Sequence, residues 1–159
     1  MPKTIEVRND VFVTGSVACD FKELREFYRA NVDKFIIAFD EIKKILKVND
    51  DVKLLFNNIR KNSVQGMFTH NTKTIKIDLR CYDVTQIVST IIHEMTHAQQ
   101  VQDKKLVIDA KSQKWNGKSI ELAKSHEDYL NLPWEIEARK NEEKYINRVL
   151  TKIQKVEAK

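Results

Sequence analysis

The chain has 159 residues, 28 basic against 23 acidic, for a formal net charge of +5, with 42% hydrophobic and 32% charged residues but only three Gly and two Pro. That length supports one sizeable core rather than two. The composition excludes a low-complexity coil or an all-β sandwich and favours a helix-rich α+β domain. No apolar run approaches the length of a bilayer span and the opening MPKTIEVRND lacks an apolar signal region, so a cytoplasmic protein with no membrane partner is expected.

Residues 3–14, KTIEVRNDVFVT, combine β-branched side chains with partial alternation and are expected to form a strand or short hairpin. Cys19 and Cys81 lie far apart with no second Cys nearby, which supports neither a disulfide framework nor a CxxC metal knuckle. From Asp20 to Asn62 the apolar residues recur at spacings of three and four. This predicts two or three helices, broken near Asn31 and again at the VNDD of residues 48–51, with Asp20 as N-cap and Glu23 as its capping-box partner. Phe27, Phe35, Phe39, Leu46 and Phe56 are assigned to packing.

In VQGMFTHNTKTIKIDLR, residues 64–80, two extended runs flank a polar turn that contains His70, the pattern of a β-hairpin. Its second run alternates, with Ile75, Ile77 and Leu79 on one face and Lys76, Asp78 and Arg80 on the other. Residues 84–102 form the clearest helix, since Val84, Ile87, Val88, Ile91, Ile92, Met95 and Ala98 make one apolar stripe. KLVIDAK and KWNGKSI read as extended segments joined by a turn, with Asn116-Gly117 supplying positive φ. SHEDYLNLP reads as a loop leading to a last helix that begins at Pro133. The stretch from Asp103 to Lys118 sets Lys104, Lys105, Lys111, Lys114 and Lys118 against two aspartates, which suits a solvated surface or, as the alternative, contact with an anion or nucleic acid.

Within the clearest helix lies HEMTH. Residues i and i+4 share a helix face, so His93 and His97 can converge on one metal ion while Glu94 stands one residue round from it. This is the H-E-x-x-H arrangement, in which two His bind Zn²⁺ and the Glu acts as general base. The pair falls opposite the apolar stripe, a position that suits either a cleft or plain solvent. An open catalytic site needs a third protein ligand. Asp103 follows His97 by six residues, but that geometry needs a glycine turn where Gln100 stands. His126 lies in the expected loop. Glu135 sits in a first helical turn, where a carboxylate needs no metal to explain it. Glu137 flanks the inward stripe Trp134, Ala138, Asn141 and Tyr145 and is the preferred ligand, with Glu135 as the alternative.

HEMTH followed by a Glu on a downstream helix resembles the gluzincins, the thermolysin-like zinc metallopeptidases. The further runs WNGK and YLNLPWEIEAR resemble the small single-domain members encoded by tailed bacteriophages and bacteria, over roughly residues 64–150. The resemblance implies a zincin-like catalytic core at about 63–150; the strand and helices expected from periodicity at about 1–62 are not matched by it and are read as part of the same single domain. It makes His93, His97 and Glu137 the zinc ligands and Glu94 the base of a peptide-hydrolysing enzyme. The family's ExxxD, whose Asp orients a ligand histidine, would read here Glu137 to Asn141, which supplies no charge. Tyr129 and His126 are the expected stabilisers of the oxyanion, and the strand from Thr74 to Leu79 the expected edge for an extended peptide. Two other readings are a zinc-bearing interaction module of low activity and a basic protein associated with nucleic acid.

Overall fold

The computed structural model of the chain describes residues 3–49, 51–58, 65–81 and 83–159. β1 (Thr4–Arg8) and β2 (Val11–Thr14) form an antiparallel hairpin, as expected. A π-helical turn, Ser16–Asp20, leads into α1 (Lys22–Leu46).

Two expectations for the first helix differ from the structure. Helix α1 runs 25 residues without a break, because its stripe of Leu24, Tyr28, Phe35, Phe39, Ile42 and Leu46 stays in the core throughout. Asn31 is accommodated by donating its Nδ2 hydrogen to the Phe27 carbonyl one turn back. Asp20 does not cap α1. It belongs to the preceding turn, closed by Phe21 N–H on the Ser16 carbonyl, and Phe21 holds the N-cap position without a side-chain bond.

The segment after the VNDD break is β3 (Lys53–Asn57), not helix. A run as short as VKLLF fits either period. The strand wins because it pairs on both edges, parallel to β2 and to β5, and sends Leu54 and Phe56 fully inside. The expected helical continuation through residues 59–62 and the hairpin residue Val64 lie outside the described residues.

β4 (Gly66–Thr69) and β5 (Thr74–Asp78) form the second expected hairpin, with His70 exposed in its turn. The sheet order is β1-β2-β3-β5-β4. β5 is therefore an interior strand, and the expectation that it offers a free edge is corrected: the edge is β4. Val11, Val13, Leu54, Phe56, Ile75 and Ile77 cover one sheet face; α1 and α2 (Val84–Gln102) pack over them, and α4 (Pro133–Glu157) packs against both helices in the same core.

Between α2 and α4 lie a small antiparallel sheet, β6 (Leu106–Ile108), β7 (Gln113–Trp115) and β8 (Lys118–Ile120), and a short helix, α3 (His126–Leu130), where a loop was expected. Ser125 starts α3 by accepting the Asp128 N–H, a local cap sufficient for one turn. The turn between β7 and β8 has φ of 51° at Asn116 and 83° at Gly117, the two positive values a tight hairpin turn requires. A separate apolar cluster of Leu106, Leu132 and Trp134 anchors this small sheet to the start of α4. Among the described residues no helix is long and apolar enough to cross a membrane.

Candidate metal centre

Helix α2 is oriented by its stripe. Ile87, Val88, Ile91, Ile92 and Met95 are all at most 1% exposed, and Asp83 caps the helix by accepting the Gln86 N–H. The opposite side of α2 meets α4 rather than solvent, which decides between the two settings the sequence allowed for the histidines. Their side chains are only 18% and 12% exposed.

The third carboxylate between them belongs to Glu135. Its Oε1 lies 3.1 Å from His93 Nε2 and its Oε2 lies 2.8 Å from His97 Nε2. Ligand atoms of these three residues all fall within 4.8 Å of one another. Tetrahedral zinc bonds of about 2.0–2.1 Å put neighbouring ligand atoms about 3.3 Å apart, so this donor set fits a small divalent cation of that kind.

Glu137, the preferred ligand on sequence grounds, is not brought to the histidines. Two helical residues are about 200° of rotation, so a glutamate two positions after Glu135 points to the other flank of α4. There Glu137 accepts hydrogen bonds from Gln100 Nε2 at 3.1 Å and Lys105 Nζ at 2.8 Å. Asn141 is on that same flank and donates to Thr96 Oγ1, so it does not orient an imidazole. Asp103 ends α2 as its exposed C-cap residue.

The groups that do orient the imidazoles escaped the sequence reading. Glu142 Oε2 accepts from His93 Nδ1 at 2.9 Å, while its Oε1 accepts from Ser89 Oγ at 2.8 Å. Gln100 is fully buried. Its Nε2 donates to the Trp134 carbonyl and to Glu137, which leaves Oε1 to accept from His97 Nδ1 at 2.9 Å. Both Nδ1 atoms are thereby assigned as donors, and both Nε2 atoms face Glu135. The signal was present in the spacing: Glu142 follows Glu135 by seven residues, two turns along one helix face.

The electrostatics follow from this packing. Burial alone would lower the His93 pKa, but hydrogen bonds to Glu135 and Glu142 override it and push it up to about 10. His97 is likewise penalised by burial yet raised by Glu135. Burial works against the Glu135 carboxylate too, and the two imidazoles hold its pKa far below the ordinary carboxylate range. Glu94, 8% exposed, is raised by burial. Its carboxylate accepts a hydrogen bond from the backbone N–H of Phe68 on β4.

These residues form the floor and one wall of an open cleft of about 730 Å³. The edge strand β4 forms another wall and approaches α2 closely at Gly66, where a Cβ would lie 2.5 Å from Thr90 Cγ2 and 3.3 Å from Glu94 Cγ. Opposite it stand His126, Tyr129 and Arg139. Tyr129 stacks on His126 at 6.4 Å, and burial together with the Glu135 carboxylate raises its hydroxyl pKa. Arg139 donates to the Leu130 carbonyl and is ion-paired with no carboxylate among the described residues. Val101, Leu106, Ile108, Leu130 and Trp134 close one end with an apolar surface. The triad His93, His97 and Glu135 is thus a possible metal site beside a buried carboxylate. Comparison with protein-family models, with curated proteins and with solved structures finds no match to this chain.

Proposed function

We propose that the chain is a zinc-dependent peptidase of the gluzincin type. The observation that carries the reading is the convergence of His93, His97 and Glu135 with Glu94 buried beside them in the floor of an open cleft. Zinc is favoured because two imidazoles, which would give up their Nε2 protons to a metal, and one carboxylate are the donor set of its catalytic sites. When bound, it supplies Lewis acidity to a carbonyl oxygen and lowers the pKa of water.

Each protein group has a separate task. Glu142 and Gln100 hold the Nδ1 hydrogens of the two imidazoles so that the Nε2 lone pairs face one point. Glu94 takes a proton at its carboxylate and returns it to the departing amine nitrogen, a role the raised pKa that burial gives it favours, while the Phe68 N–H fixes the carboxylate's position. Tyr129, whose hydroxyl interacts with Glu135, is a donor for a developing oxyanion, and His126 supports it by stacking. A peptide is the substrate because β4 is an edge strand. Gly66 and the Phe68 carbonyl turn away from β5, where an extended chain can pair with them, while the Phe68 N–H is held by Glu94.

The test is cleavage of a mixed peptide library by the zinc-loaded protein, with and without chelator, beside Glu94→Gln. The expected result is chelator-sensitive cleavage that Glu94→Gln abolishes while keeping its zinc. Stoichiometric zinc with no cleavage of any library member would favour the interaction module instead.

A further inference from the structure

The C-terminal half of α4 carries a charge pattern that the cleft does not use. At about 100° per residue, Lys140, Lys144, Arg148, Lys152 and Lys155 all fall within a sector of about 120°. The acidic residues of the same stretch, Glu142, Glu143 and Glu157, fall outside it, between about 200° and 300° from Lys140. The buried Val149 and Ile153 lie on that other side, turned toward the core. Four of the five cations are exposed and Lys152 is half-buried. Among the described residues, none of the five is ion-paired.

A row of like charges on a helix is commonly just a solvated face. Here three features go further. The cations are segregated from Glu142, Glu143 and Glu157, the carboxylates that accompany them along the helix, while Glu137 at its N-terminal end is paired with Lys105; they extend over about 22 Å of helix axis, and they border a groove. That groove, about 350 Å³ between α1 and α4, is lined by Arg148, Lys152, Lys155, Thr151, Asn147 and Glu41. Glu41 is its one carboxylate and sits 4.0 Å from Lys44. The cleft-lining Arg139 is on the opposite flank of α4 from Arg148 and Lys155, so a ligand on the ridge leaves the cleft open.

We infer that this ridge is a docking face for the phosphate backbone of nucleic acid. The sector holds Lys, Arg, Asn and Thr, the side chains that contact phosphate oxygens without reading sequence. Between residues 140 and 157 its apolar neighbours are Val156 and the half-buried Tyr145 at its margin, the latter covered by Lys144, too little to enter a lipid surface or to anchor a protein partner. At about 3.4 Å per base step, 22 Å spans about six steps. The surface is distinct from the lysine-rich stretch near residues 104–118, where Lys105 is committed to Glu137 and Lys111 shares its turn with Asp109. The inference stands independently of the peptidase reading.

The experiment is fluorescence anisotropy of a short mixed-sequence duplex with the full chain, as a function of salt. Neutralising four to six phosphates lowers affinity about 10²–10³-fold between about 50 and 200 mM salt. The variant Lys144→Gln/Arg148→Gln/Lys152→Gln is expected to bind at least about tenfold more weakly at low salt and to flatten the log–log slope by about two to three. Its circular dichroism should be unchanged. Lys111→Gln/Lys114→Gln/Lys118→Gln should bind like wild type. Absence of salt-dependent binding, wild-type binding by the ridge variant, or loss confined to the 111/114/118 variant would each overturn the assignment. So would displacement by polyglutamate at equal charge, which would identify an acidic protein as the ligand.

Discussion

Two clusters of opposite charge are tied into this fold, and they differ in what holds the charge. In the first, Arg8 joins Asp10 at 2.6 Å and Asp40 at 2.7 Å, and Lys43 reaches Asp10 at 3.3 Å while lying over the Phe39 ring. Its cations are permanent, so the cluster is complete and simply fastens the β1–β2 hairpin to α1. In the second, Glu135 is balanced by two imidazoles whose positive charge is only a bound proton. A metal ion can replace that proton, and one side of the cluster opens into a cleft. The difference separates a structural ion pair from a site: exchangeable counter-charge together with access, rather than buried charge as such.

The sharpest way to strain this contrast is at the one buried acid beside the centre that has no structural cation. Glu94→Gln should lower peptidase turnover about 10²–10⁴-fold with zinc retained, read by initial rates and metal analysis on the same sample. Glu142→Gln removes the acceptor from His93 Nδ1 and should weaken zinc binding about 10–100-fold, measured by competition with a chromophoric chelator. Asp10→Asn leaves Lys43 buried without its partner and should cost about 1–2 kcal/mol of stability, seen in a urea melt, with zinc affinity unchanged.

The smallest effect is the pH dependence of that last difference. Although burial opposes it, Arg8 and Lys43 hold the Asp10 pKa below its ordinary value. A depressed carboxylate contributes stability above its unfolded pKa, near 3.9, and loses it as pH falls through the lower folded value. The gap between wild type and Asp10→Asn should therefore be constant near neutrality and close below about pH 4. A gap that widened in acid would reverse the sign of this account.

Much of this was legible in the sequence because it was local. The stripe of α2, the Asn116-Gly117 turn, the 64–80 hairpin and the start of α4 at Pro133 each follow from spacing within a few residues. What escaped was fixed by partners far along the chain. Phe56 in β3 reads as helical from its spacing until β2 and β5 pair on either side of it, and β5 reads as an edge until β3 pairs along its other side. Glu137 and Glu135 differ only in the flank of α4 they occupy, and spacing within the helix does not fix which flank faces inward. Trp134, at 4% exposure, packs with Leu106 on the small sheet, and that contact sets the rotation which turns Glu135 toward α2. Gln100 and Glu142 carried no motif and became visible only with α2 and α4 side by side.

The most direct test of the centre is therefore zinc stoichiometry in two single variants of one helix. After equilibration with zinc and removal of the excess, wild type and Glu137→Gln should each hold one ion per chain, and Glu135→Gln should hold none at the same concentration. Retention by Glu135→Gln with loss from Glu137→Gln would contradict the assignment of the third ligand, and a folded wild-type protein that holds no zinc would contradict the centre itself.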